Sequence, residues 1–239
     1  GDIRAVFWIA TIPAVASVVL LILAVKEPPR VPVPAADVAP PVSLRAALHP
    51  AVFGAAFWRV TAVAATMTLA RFSEAFLVLR GSEMGFGPAF APLVMAAMSA
   101  AFALSAYPAG WLSDRVGRDR MLALGILFLI AADMLFAFGG TRAVALVGAA
   151  LWGLHMGLTQ GLFSAMIADA APAHVRGSAF GVFHLLSGVV IFAASLIAGG
   201  LWDAFGSPAA FLAGAGFAAL ALVGLLAWGP SSAPGHPAA

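Results

Sequence analysis

Apolar residues run along this chain in long blocks separated by short polar breaks. A helix needs about 20 apolar residues to cross the hydrocarbon core of a bilayer. Seven blocks reach that length, at residues 5–25, 57–79, 89–112, 121–139, 143–167, 178–200 and 208–228. Each predicts one spanning helix, here spans 1 to 7. A membrane β-barrel would instead show short segments of alternating polarity, and these blocks do not alternate. The pattern predicts an all-α fold, a polytopic membrane helical bundle with seven predicted spans.

Composition agrees. Of the 239 residues, 63% are hydrophobic and 9% charged, with a mean hydropathy of +1.04, where soluble domains run nearer half apolar and a quarter charged. The net charge of +2 does not point to nucleic acid, because the basic residues sit at the ends of apolar blocks rather than in one patch. There is no cysteine, which excludes disulfides, thiolate metal sites and a cysteine nucleophile. Loops on one side carry Lys26, Arg30, Arg45, Arg59, Arg115, Arg118, Arg120 and Arg176, and loops on the other carry Arg4, Arg80 and Arg142. The positive-inside bias assigns the first set, and the C-terminus, to the cytoplasm.

The chain divides into a helix at 1–25, a Pro-rich cytoplasmic loop at 26–56, a six-span unit at 57–228 and a disordered tail at 229–239. The stretch Lys26 to Pro50 holds seven prolines, a density that favours an extended spacer. Inside the six-span unit, Gly110-x-Leu112-x-Asp114-x-x-Gly117 recurs as Gly199-x-Leu201-x-Asp203-x-x-Gly206. Each copy closes the second helix of a group of three, on opposite sides of the membrane. That is a 3+3 inverted repeat, an arrangement common among secondary transporters.

The eleven residues Gly110 to Arg120 form a charged hinge between two apolar blocks. They resemble the signature loop of the major facilitator superfamily, Gly-x-Leu-x-Asp-Arg-x-Gly-Arg-Arg/Lys, departing from it at Asp119. Pro172 to Gly181 also resembles the loop leading into that family's eleventh helix. The resemblance covers the whole chain and implies that it corresponds to helices six to twelve of a twelve-helix transporter. A missing N-terminal half would then be a partner, supplying the other wall of the solute path. The resemblance also implies that the loop with Gly110, Asp114, Arg115, Gly117, Arg118 and Arg120 is a conformational latch. From the residues alone, Asp114 can pair with Arg115 or Arg118, and the arginines can equally serve only to set topology.

Ionisable groups at membrane depth are costly and usually face a cavity or a partner. Arg71 and Glu74 in span 2 are spaced i, i+3, which places them on one helical face; they read as a cavity pair or a structural ion pair. Asp133 in span 4 is a proton carrier or a carboxyl bonded to a neighbouring helix. In span 5, Gly153, Gly157 and Gly161 form a small-residue stripe for close helix packing. The other face presents Trp152, His155, Met156 and Thr159, with Gln160 between the two, as candidates for substrate or proton coupling; His155 can equally do no more than bond a neighbouring helix. Gly181 and His184 in span 6 read as helix packing. The two histidines lack the local spacing of a metal site, and no cofactor is expected. No phosphate loop, nucleophile elbow or pair of catalytic carboxylates is present, so an enzyme is not expected.

The expectation is secondary active transport of a small-molecule substrate across a lipid bilayer by alternating access, proton-coupled and directed to efflux, in a bacterial inner membrane. The alternative is a truncated, non-transporting membrane subunit or ligand-binding sensor.

Overall fold

The computed structural model describes residues 3–24 and 50–227. Most of the Pro-rich stretch, from 26 to 49, and the tail from 229 lie outside them. The described residues fall into two units that divide at Pro40. The first holds one helix, α1 (Ile3–Ala24), with Pro13 inside it. The second holds α2 (Gly54–Ala70), α3 (Ala75–Glu83), α4 (Pro92–Val116), α5 (Arg118–Phe138), α6 (Arg142–Ala170), α7 (Arg176–Phe205) and α8 (Ser207–Ala227), with short 3-10 turns at Pro50–Val52 and Ala173–Val175. No strand occurs among the described residues. Six stretches of the second unit are long and apolar enough to cross a membrane, with Gly54–Glu83 as one of them.

The helix ends follow from local chemistry. Pro92 opens α4, where a missing N–H costs nothing. Thr141 caps α6 by accepting from Val144 N–H. Gly117 ends α4 with φ +97°, and Gly206 ends α7 with φ +84°. Both are left-handed positions that favour glycine, and the next helix starts at the following residue. The two copies of the repeated pattern therefore make the same corner. Such short connections make consecutive helices antiparallel, so the Gly117 corner and the Gly206 corner lie at opposite ends of the bundle.

The charged hinge is shorter than expected. Gly110 to Val116 remain helical in α4, Arg118 to Arg120 are already the first turn of α5, and Gly117 alone is non-helical.

Helix α6 is the centre of the unit and packs on α4, α5 and α2. In lipid there is little hydrophobic gain from bringing helices together, so association rests on close packing. A methyl group placed on Gly153 would lie 3.0 Å from Ala101 Cβ and press into the Met98 backbone, and one on Gly157 would lie 3.0 Å from Ser105 Cβ and 3.1 Å from Ala106 N. These two glycines let the α4 backbone approach α6. Gly161 does not: it is exposed with open space around it, as is Gly181. Neither residue is a packing contact among the described residues. His184 is also exposed. Its ring lies 5.4 Å from Phe183 and 6.2 Å from Phe180 on its own helix, not against another helix as expected.

Candidate functional site

The second span is not one helix. It unwinds at Arg71, Phe72 and Ser73 between α2 and α3. Arg71 leaves helical geometry at φ −105° and ψ 72°. The fourth turn of α2 is loosened first, by Thr68 Oγ1 bonding back to Ala64 O at 2.7 Å. Unpaired backbone at membrane depth costs several kcal/mol per group and persists only where protein or a cavity receives it. Here Ser73 N–H donates to Ser195 Oγ on α7 at 3.2 Å, and Ser195 Oγ donates in turn to Ile191 O at 2.9 Å. Ser73 Oγ accepts from Ala75 N–H at 3.4 Å and so starts α3. Phe72 is buried in an aromatic cluster, 5.7 Å from Trp152, 5.3 Å from Phe211 and 5.3 Å from Phe76.

The unwound segment opens onto a cavity of about 680 Å³ whose polar lining is Arg71, Ser73, Glu74, Trp152 and Ser195. The i, i+3 helical pair expected of Arg71 and Glu74 is absent because no helix joins them. They form no salt bridge, but their charges are close enough to interact, and both line the cavity. Arg71 Nε and Trp152 Nε1 are buried with no hydrogen-bond partner among the described residues.

The other candidates on α6 divide differently from the expectation. Only Trp152 lines the cavity. His155 is fully buried, and its Nδ1–H donates to Gly125 O on α5 at 2.9 Å. That bond fixes the tautomer and leaves Nε2 as an acceptor, which has no partner among the described residues. Thr159 Oγ1 donates to His155 O at 2.8 Å, and its methyl fills the space beside Gly125. Both side chains belong to the α5–α6 packing surface. Gln160 is half-buried and lines no described cavity.

Asp133 on α5 is fully buried, and neither carboxyl oxygen has a partner among the described residues. It stands behind the cavity rather than in its lining, beside Gly214 of α8 and the end of α2.

At the Gly117 end, Asp114 is exposed and pairs with neither arginine. Arg118 instead pairs with Asp169 at the end of α6. Arg115 stacks over Trp111, 3.6 Å from the ring centroid, and Arg176 Nε donates to Ala168 O at 2.9 Å. Asp169 was not singled out in the sequence, although a carboxylate at the end of a span on the arginine-bearing side is the signal that would have found it. At the other end, Arg80 donates to Phe136 O at 2.7 Å and Gly139 O at 2.9 Å, which caps α5. Arg80 also pairs with Glu83, whose Oε2 accepts from Ser207 Oγ at 2.5 Å. No cluster of three or more His, Cys, Asp or Glu able to hold a metal occurs among the described residues.

An all-α membrane bundle with two matching corners and a broken helix that brings Arg71 and Glu74 to a largely apolar cavity is the class these features define. Residues 69–239 match the profile of the Major Facilitator Superfamily, and the chain belongs to that family. It is 30% identical over 146 residues to an uncharacterized MFS-type transporter of Methanocaldococcus jannaschii, covering 59% of this chain and 37% of the relative. It is 28% identical over 196 residues to an uncharacterized protein of Mycobacterium tuberculosis, covering 82% and 47%. It is 27% identical over 103 residues to the galactose-proton symporter of Escherichia coli, covering 43% and 22%. The chain thus spans less than half the length of these relatives. Its fold is similar to the crystal structure of a peptide transporter, POT, in complex with alafosfalin, with a TM-score of 0.60 at 22% identity over 72% of this chain and 37% of that one.

Proposed function

We propose that this chain supplies the six-helix C-terminal half of a secondary transporter that moves a small polar solute by alternating access. The observation that carries the reading is the unwound Arg71–Ser73 segment opening onto a cavity of about 680 Å³. A guanidinium, a carboxylate, two hydroxyls and an indole face converge there, and this set recognises a small solute with several hydrogen-bonding groups, zwitterionic or polyhydroxylated. Arg71 holds the anionic or hydroxyl-rich part of the solute, Glu74 faces it from the start of α3, and Trp152 supplies an apolar wall. Transport is coupled to protons and runs toward efflux, in a bacterial inner membrane. The Gly117 end, with Arg118–Asp169 as its closing contact, faces the cytoplasm together with the C-terminus. The similarity to a galactose-proton symporter supports the coupling, and the lack of any catalytic constellation among the described residues favours a carrier over an enzyme.

Reconstitution of the whole transporter that contains this half, in liposomes carrying a trapped pH dye, tests this. Addition of one member of a panel of monosaccharides, dipeptides and small zwitterions is expected to move protons, and Arg71→Gln is expected to abolish the response. A folded protein that binds a panel member with no solute-dependent flux overturns the transport reading in favour of a ligand-binding subunit.

A further inference from the structure

Asp133 lies outside the cavity lining, so the solute site does not explain it. A methyl group placed on Gly214 would lie 2.9 Å from Asp133 Oδ2, 3.1 Å from Phe72 Cε1 and 3.3 Å from Ala70 O. The carboxyl, the last carbonyl of α2 and the first unwound ring therefore converge on the bare backbone of α8. The absent side chain at Gly214 makes the space they share.

The Leu69 and Ala70 carbonyls accept no hydrogen bond from the described residues, because the segment that would supply their donors is unwound. They are the negative pole of α2. No cationic side chain lies within salt-bridge distance of Asp133. The titratable groups on the elements packed around it are Arg59 near the start of α2, Arg71 and Glu74 at the break, Arg142, His155 and Asp169 on α6, Arg80 and Glu83 at the far end of α3, and Tyr107, Asp114 and Arg115 toward the other end of α4. Helix α8 carries none. A carboxylate facing an uncapped helix C-terminus needs a cation between them. Two oxygen sources walled by a phenyl ring and a glycine are too few for Ca2+ or Mg2+, which take six or more oxygens, and no group of three or more His, Cys, Asp or Glu able to hold a metal occurs among the described residues. They suffice for a proton.

We propose that Asp133 is an exchangeable-proton site that works the break in α2–α3. With the proton bound, its O–H donates to the Ala70 carbonyl and ties α5 to the end of α2. When the proton leaves for water in the cavity, a carboxylate faces the negative pole of α2 and the two move apart, which displaces Arg71 at the cavity wall. Arg71 Nε and Trp152 Nε1 on the cavity side and His155 Nε2 on α6 are buried polar atoms without partners among the described residues. Coupling through this movement rests on the transporter reading above; the proton site itself does not.

Two measurements separate the claims. Infrared difference spectra of the full chain in liposomes, taken across a pH titration, are expected to contain the carbonyl stretch of a protonated carboxyl that is absent from Asp133→Asn. In Gly214→Ala, whose new methyl crowds both oxygens, the band is expected to persist at a shifted frequency. Identical spectra for wild type and Asp133→Asn, with Gly214→Ala also unchanged, overturn the proton site. For coupling, Asp133→Asn is expected to retain solute counterflow and lose accumulation driven by a pH gradient. Wild-type accumulation in that variant overturns the coupling role. An Asp133 band in a protein that moves no solute would remove the transporter reading while leaving the proton site in place.

Discussion

Three glycines on α6 stand one turn apart and differ only in what faces them, which makes a graded test of the packing. A Cβ at Gly153 would meet the Met98 carbonyl and carbon, both backbone, with Ala101 Cβ 3.0 Å away. Backbone cannot rotate aside, so α4 itself must move. A Cβ at Gly157 would meet the Ser105 side chain, with Ser105 Cβ at 3.0 Å and Ala106 N at 3.1 Å; the hydroxyl can turn away, the rest cannot. At Gly161 nothing lies within 4 Å. Overpacking costs about 1–3 kcal/mol, while replacing glycine by alanine inside a helix returns up to ~1 kcal/mol. The net is a loss of about 1–2 kcal/mol for Gly153→Ala, somewhat less for Gly157→Ala, and no loss or a small gain for Gly161→Ala. In a unit of this size that lowers Tm by about 2–8 °C for Gly153→Ala. Thermal unfolding of the detergent-solubilised chain, followed by helical circular dichroism, reads all three. Equal shifts for the three variants, or Gly161→Ala as the worst, would refute the assignment of the close contact to Gly153 and Gly157.

Three further outcomes follow from single residues. Arg80→Ala removes the donors to Phe136 O and Gly139 O and is expected to cost about 2 kcal/mol, read by the same unfolding assay, with hydrogen exchange rising at the end of α5. Gly117→Ala and Gly206→Ala each force a left-handed backbone on alanine at about 1–2 kcal/mol, whereas Gly110→Ala, helical and facing open space, is expected to leave Tm unchanged or raise it slightly. Asp169→Asn breaks an ion pair exposed to solvent on both sides, so stability is expected to fall by less than about 1 kcal/mol, while the accessibility of the Gly117 end to water-soluble probes rises.

Much of the architecture was legible because hydropathy is a long-range pattern: each predicted span lies within a few residues of a helical stretch, and the repeated corner was visible as Gly117 and Gly206. The break at Arg71–Ser73 was not. Apolar residues flank it on both sides, and an averaged hydropathy profile passes over three unwound residues. Its local signal was the interruption by Arg71, Ser73 and Glu74, which reads equally as a polar helix face. The stripe at Gly153, Gly157 and Gly161 shows the complementary failure. Spacing identifies a face but not how long two crossing helices stay in contact, so the last glycine of the row faces open space. His155 and Thr159 share a face with Trp152, yet burial against Gly125 on α5 takes them out of the cavity. Asp114 carried the expected latch; Asp169, 55 positions later in sequence, holds the arginine instead, and no local pattern links the two.

The central claim is that the unwound segment lines a water-filled solute cavity in mid-span. The chain has no cysteine, so Ser73→Cys and Ser195→Cys place single thiols on the two residues that hold the break to α7. A membrane-impermeant thiol reagent is expected to label both variants and to be slowed by the transported solute, while Ala218→Cys, buried in helix packing, stays unlabelled. Failure of the reagent to reach either serine position in a folded protein, or labelling at a rate no solute of the panel alters, would contradict the account.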